Sequence, residues 1–287
     1  MITGQILQTT EAKHTEFRVA LDDAKQVTAE IRSLVSAVRI SALSAESPSL
    51  IEAELDYVGV LTATAEGGTH RRIVIRDNAP QCNYHGPELV YDIRMHPGVP
   101  LALSVGTASG DIHVDLLLLN VTEVEMGASS GKVWAALPAG PAAYPVKVGV
   151  ASGDVHVKLA DEARLSALSI STASGDMLVE AGAGAALGAI TLNTAAGNMQ
   201  LDLRTAASAA THVTAVSGDL NAQIPETAPA RVEIRRLLTG SVSMRSDLNR
   251  ISGGKRTGVW QTADYRYDVP AIELVVDNLV TGDVRVR

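Results

Sequence analysis

Two histidines and a tryptophan occupy the same place in three similar strings. His113 stands in TASGDIHVDL (107–116), Trp134 in ASSGKVWAAL (128–137) and His156 in VASGDVHVKL (150–159). Imidazoles can hold a metal or move a proton. If each string contributes one strand, His113 and His156 stand about 10 Å apart. A zinc ligand sits near ~2 Å from its ion, so that separation is too long for a shared metal. The trio His113, Trp134 and His156 is therefore read as a contact patch. A second column follows a repeated glycine: Asp111, Asp154, Asp176, Asp219 and Asp283. Asp154 and Asp176, roughly 5 Å apart, have the oxygen chemistry to share a Ca²⁺. Lys132 and Asn198 interrupt the column, which fits relief of like-charge repulsion better than a cation ladder. Ser-Gly-Asp is accordingly read as a turn that every repeat needs, because Gly tolerates positive φ and Ser and Asp bond nearby backbone.

Other candidates are weaker. Glu180 and Asp202 share a column in adjacent strings, and carboxylates about 5 Å apart suit a retaining glycosidase. Lys158 flanks Glu180 and few aromatics could hold a sugar, so an ion pair between Lys158 and Glu180 on a solvated face is expected. Cys82 and His85, with Asp77, give C-x₂-H without a partner motif. The glycine-rich run GAGAALG (182–188) falls between strands. None of G-x-S-x-G, a P-loop, G-x-G-x-x-G or H-E-x-x-H is present. The expectation is no catalytic residue, no metal, no cofactor and no enzyme.

These residues sit in a repeat. The shared glycines Gly110, Gly131, Gly153, Gly175, Gly197, Gly218, Gly240 and Gly282 are spaced 21, 22, 22, 22, 21, 22 and 42 residues apart. Two residues after each glycine stand Ile112, Val133, Val155, Met177, Met199, Leu220, Val242 and Val284. Four after stand Val114, Ala135, Val157, Val179, Leu201, Ala222, Met244 and Val286, with mostly polar residues between. Alternation with period two means a strand with one buried face. Val105, Met126, Val148, Ile170, Leu192 and Val213, five residues before the glycine, repeat the pattern. Each period thus carries strand, Ser-Gly-Asp turn, strand. The predicted fold is all-β: a single parallel β-solenoid of about 21–22 residues per coil with irregular capping ends. The competing arrangement is an antiparallel sandwich of short strands. Residues 1–100 are expected to form first strands and a cap continuous with the solenoid, 101–244 the regular coils, and 245–287 an irregular coil and final strand. The double gap before Gly282 is read as one degenerate intervening coil. VTGDVRVR (280–287) is read as a chain-terminal strand whose outward Arg285 and Arg287 block or pair with a neighbour.

Composition narrows the function. The 287 residues are 46% hydrophobic, 20% charged and only 3% aromatic, with a single Phe. Disorder is excluded by that apolar content, and a disulfide scaffold by a single cysteine, Cys82. A net charge of −8 argues against nucleic acid. No stretch of about 18 apolar residues is long enough to span a membrane as a helix. With Met1 as the true start the chain stays in the cytoplasm; with a leader or anchor ahead of it, the cell envelope is its place. The scarcity of Phe fits a thin interior of small and β-branched ladders.

The Ser-Gly-Asp repeats, preceded by HPGVPLALSVGTASGDIHVDLLLLNVTEVEMGASSGKVWAALP, resemble bacterial putative-adhesin β-solenoids. More closely they resemble the toast-rack domain of LiaF-like and PspC-like cell-envelope stress proteins. EFRVALDDAKQVTAEIRSLVSAVRISAL and LIEAELDYVG match that domain's opening strands. The resemblance implies a non-enzymatic structural or adhesin-like module of the envelope. Its partners would be a protein, a glycan or a second copy, met by outer faces or coil ends. An envelope-stress module contacting a sensor kinase or membrane partner is the alternative, and a polysaccharide-active β-helix enzyme the third.

Overall fold

The computed structural model describes residues 11–78, 84–267 and 269–287. Cys82 and part of the 78–88 loop lie outside them. Among the described residues there are strands and turns but no helix. Val27, Ile31 and Val38, whose spacing also fits a helical stripe, lie in strands β2 (Gln26–Ser33) and β3 (Ala37–Ala42).

The regular part pairs a long strand with a short one in each coil. The long strands are β8 (Leu101–Thr107), β10 (Val121–Ser130), β12 (Tyr144–Ser152), β14 (Arg164–Ser174), β16 (Ala186–Ala196) and β18 (Ser208–Ser217). The short ones are β9 (Ile112–Asp115), β11 (Val133–Leu137), β13 (Val155–Leu159), β15 (Met177–Glu180), β17 (Met199–Asp202) and β19 (Leu220–Gln223). Long strands stack in parallel in a 14-stranded sheet and short ones in a 12-stranded sheet. The all-β solenoid expected from the repeat is therefore the fold, with two sheets facing one another across a single core. Alternate residues point inward, and the ladders read from the glycine columns are in register: Val133 beside Ile112 and Val155, Met177 beside Met199. Inward residues such as Val157, Val179 and Leu201 are fully buried. The single Phe, Phe17, is only half-buried and lies in the edge strand β1 (Lys13–Ala20).

The turns between long and short strands explain the glycine. At Gly131, Gly153, Gly175, Gly197, Gly218, Gly240 and Gly282, φ lies between +132° and +146°, a region L side chains rarely enter. A Cβ at Gly175 would also collide with the carbonyl oxygen of Gly153, and the same holds along the column. In the first coil that oxygen belongs to Ser36, which the turn at Gly110 abuts. Ser36 holds the corresponding place between β2 and β3 with φ outside the left-handed region, so that position does not require glycine. Its N–H bonds Ser33 Oγ at 2.8 Å, as the Gly110 N–H bonds Thr107 Oγ1 at 2.8 Å.

Spatial order departs from chain order at both ends. Strands β6 (His70–Asn78) and β7 (Val90–Met95) lie outside β2 and β3 although they follow them in sequence. Beyond them, β4 (Ser49–Tyr57) and β1 extend one sheet and β5 (Val60–Glu66) the other, all antiparallel. At the other end come β20 (Ala230–Ile234), β21 (Leu237–Thr239), β22 (Val242–Ser243), the hairpin β23 (Asn249–Gly253) and β24 (Gly258–Gln261), then β25 (Ile272–Thr281) and β26 (Val284–Val286). The last coil, β25–β26, wedges between β18–β19 and the Gly240 coil. Two expectations are corrected. No degenerate coil lies between the Gly240 and Gly282 turns, since β25 and β26 pair with β21 and β22 directly. The chain-terminal strand is also not a solenoid end, because β26 is paired on both sides. The physical reason is length: β25 has 10 residues to saturate the 10 of β18, whereas β20 and β21 are broken into 5 and 3.

Gly175→Ala should destabilise the protein by roughly 2 kcal/mol or more, because it adds both a steric clash and backbone strain. Gly149→Ala, with no atom within 4 Å of its added Cβ, should be neutral or stabilising by up to about 1 kcal/mol. Urea unfolding of both variants checks the contrast; equal midpoints would show that the turn does not require glycine.

Candidate functional site

The residue after each turn glycine faces solvent, and its side chain reaches the next coil. Lys132 N–H donates to Asp111 Oδ1 at 2.7 Å and Asp176 N–H to Asp154 Oδ1 at 3.2 Å. Asn198 N–H donates to Asp176 Oδ1 at 2.7 Å, and Asp219 N–H to Asn198 Oδ1 at 3.1 Å. Asp283 N–H donates to Asp219 Oδ1 at 2.9 Å, and Ser241 N–H to Asp283 Oδ1 at 2.8 Å. The carboxylate column is thus a hydrogen-bonded spine along the edge of the stacked turns. Asn198 serves as well as aspartate because a carbonyl oxygen is all the step needs. Lys132 has no acceptor, and its ammonium instead pairs with Asp154 at 3.1 Å. Arg285 spans Asp219 at 3.2 Å and Asp283 at 2.7 Å. It neither blocks an end nor waits for a neighbour; it neutralises two rungs of the spine. Sequence reading missed this because Asp219 and Arg285 are brought together only by the wedged last coil.

The amide of Asp176, then Lys132, hold the Asp154 carboxyl below the usual range. The Ser241 amide and hydroxyl, then Arg285, do the same for Asp283. A carboxyl whose folded-state pKa lies below its unfolded value stabilises the fold above about pH 4. That contribution disappears as pH falls through the folded-state value.

One column further, the twelve-stranded sheet carries the outward patch. Register places Trp134 beside both His113 and His156. The His113 and Trp134 rings stack at 4.1 Å with an interplanar angle of 10°, and Trp134 meets His156 edge-on at 6.4 Å. Trp134 is half-buried between them, its faces turned along the sheet. His156 Nε2 bonds Glu180 Oε2 at 2.6 Å. That contact corrects the expected Lys158–Glu180 ion pair: Lys158 is Glu180's register neighbour, but the imidazole takes the carboxylate. Asp202 bonds Arg204 through both oxygens, down to 2.6 Å, which holds its carboxyl below the usual range. Glu180 and Asp202 are strand neighbours, each held by a separate partner, His156 for the first and Arg204 for the second. No group of three or more His, Cys, Asp or Glu side chains placed to hold a metal occurs among the described residues.

Between the spine and the same outward column past His156, through Leu178, Gln200 and Asn221, lies an open groove of about 490 Å³. Asp154, His156, Asp176, Gln200, Asn221 and Arg285 stand along it. The buried Oδ1 of Asn221 has no hydrogen-bond partner among the described residues.

A two-sheet parallel β-solenoid with asparagine and aspartate spines at its turns defines the class. Residues 8–156 match the family model described as the N-terminal domain of toast_rack, DUF2154, and the chain belongs to that family. Solved structures with a similar course include a putative adhesin from Bacteroides fragilis NCTC 9343, 10% identical. The match covers 96% of this chain and 97% of that one at TM-score 0.46. A putative adhesin from Parabacteroides distasonis ATCC 8503 is 12% identical over 97% and 99%, also at 0.46. A putative cell adhesion protein from Clostridium sporogenes ATCC 15579 is 11% identical over 96% and 99%, at 0.40. No curated protein matches the chain.

Asp176→Ala should cost about 1 kcal/mol by orphaning the Asn198 amide, and Asp176→Asn should restore most of it. In melting curves between about pH 5 and pH 2, wild type should lose stability steadily, and Asp154→Asn should flatten that decline. A variant slope equal to wild type would remove Asp154 from the explanation.

Proposed function

We propose that the protein is a non-enzymatic interaction module of the bacterial cell envelope that engages a partner through the outer face of its short-strand sheet. One observation carries this reading: His113, Trp134 and His156 form an ordered, edge-exposed row on a rigid parallel ladder, braced by Glu180. Aromatic side chains with few rotatable bonds lose little entropy when they are covered, which makes them efficient contacts. The flanking Arg39, in register with His113 across β3 and β9, and the spine carboxylates add polar contacts around the row. In this reading residues 1–100, 101–244 and 245–287 act as one continuous body, with the first and last segments serving as ends rather than as separate domains. Partners of matching chemistry are another protein, a glycan or a second copy. The envelope-stress reading, contact with a sensor kinase or membrane partner, places the same face against a different protein.

Membership of the toast_rack family supports the envelope setting. No helix among the described residues is long and apolar enough to cross a membrane.

Trp134→Ala and His113→Ala should each weaken partner binding about tenfold or more while shifting the melting temperature little. Three probes separate the partners: sedimentation of the full chain at high concentration, a bacterial glycan array, and the purified input domain of a bacterial envelope sensor kinase. Binding to one probe that both substitutions abolish supports the patch. Binding to any of them that neither substitution changes would overturn it.

A further inference from the structure

The two ends of the solenoid are unlike. Past the Gly240 coil, the long-strand sheet continues through β24 and β23, while the other sheet stops at β22. Val242 and Met244, which belong to the inward columns, therefore have no further coil above them and are only half-buried. Everywhere else in these columns, from Ile112 and Val114 to Val284 and Val286, the side chains are fully buried. The β23–β24 hairpin and the turn before it cover part of this end, sending Trp260 and Leu248 into the core. What remains is a cavity of about 500 Å³ with Val242, Met244 and Trp260 as its apolar lining. That volume is in the range of small-molecule sites.

Its charged lining residues are Arg250, Lys255 and Arg256, all exposed on the hairpin, beside Gly240 and Ser241 of the last turn. None of the three is paired to a carboxylate among the described residues. The Arg250 guanidinium bonds the Gly254 carbonyl at 3.1 Å, and Arg256 bonds the Leu238 carbonyl at 2.9 Å. Both contacts are to neutral oxygens and leave the positive charges uncompensated. The nearby acids are already engaged: Arg245 holds Asp247, and Ser241 with Arg285 holds Asp283. In a chain of net charge −8, three uncompensated cations around an exposed end of the core are an unusual concentration. Guanidinium and ammonium groups in such a cluster suit a carboxylate or phosphate head. The apolar lining suits a hydrocarbon chain.

We propose that this end cavity binds an anionic amphiphile. Its charged head lies against Arg250, Lys255 and Arg256, and its chain covers Val242, Met244 and Trp260. The cavity lies at the opposite end of the coil stack from the N-terminal strands and apart from the His113–Trp134–His156 row. It stands independently of the role proposed for that row.

Trp260 supplies the reporter. The chain has two tryptophans, so Trp134→Phe leaves Trp260 as the single emitter without touching the cavity. In this background, dodecyl phosphate below its micelle-forming concentration should shift the emission saturably. Lys255→Glu and Arg256→Glu should each weaken the apparent affinity about tenfold, the value of one charge-assisted contact. Both residues sit in an exposed turn, and Lys255→Gln gives a milder second variant should either fail to fold. Dodecyltrimethylammonium and inorganic phosphate alone should bind at least tenfold more weakly. Three results would overturn the proposal: no saturable shift, equal response to the cationic amphiphile, or inorganic phosphate binding as well as dodecyl phosphate.

Discussion

The structure depends on how closely one turn can be laid on the next. Each Ser-Gly-Asp turn rests on the carbonyl of the turn before it, at a distance that excludes a Cβ. The same step puts one side-chain oxygen within reach of the next coil's amide. Glycine and aspartate are thus two halves of one requirement. Glycine permits the approach, and the acid or amide satisfies the donor that the approach leaves at the sheet edge. Stacked carboxylates repel one another, and Lys132, Asn198 and Arg285 relieve the repulsion where the column would otherwise be continuous.

Once the turns fix the spacing, the interior follows. Two sheets joined by such short turns leave room for one layer of aliphatic side chains from each. Val, Leu, Ile and Met fill that layer, and Tyr91 and Tyr144 are its largest fully buried members. Tyr144 keeps its hydroxyl on the Pro138 carbonyl at 2.8 Å, and burial pushes its phenol up. The Phe17 ring finds its place only in an edge strand, where no further coil confines it. A core this thin leaves recognition to outer faces and ends, where Trp134 and the cavity beside Trp260 are found.

The ends show what a repeat does not specify. Inside the stack every long strand has a near-identical neighbour on each side, so chain order and spatial order agree. At the ends the strands differ in length, and pairing follows hydrogen-bond saturation instead. Ten-residue β25 displaces the broken β20–β21 from β18. Antiparallel strands close both sheets at the N-terminal end but only the long-strand sheet at the other, where β22 ends the short-strand sheet.

Much of this was legible in the sequence. Column alignment on Gly110 through Gly218 gave the strands, the inward ladders and the adjacency of His113, Trp134 and His156, because an invariant step turns sequence spacing into spatial register. The sequence also exposed the uneven places, the 42-residue gap and the polar stretch 245–268, without showing what fills them. Tertiary structure alone decided that Arg285 reaches Asp219 across 66 residues, that His156 and not Lys158 takes Glu180, and that Arg250, Lys255 and Arg256 surround an open end of the core. The reason is the same in each case. Periodicity fixes which residues share a column, but side-chain reach and the order of coils at the ends depend on pairings between segments that no local pattern records.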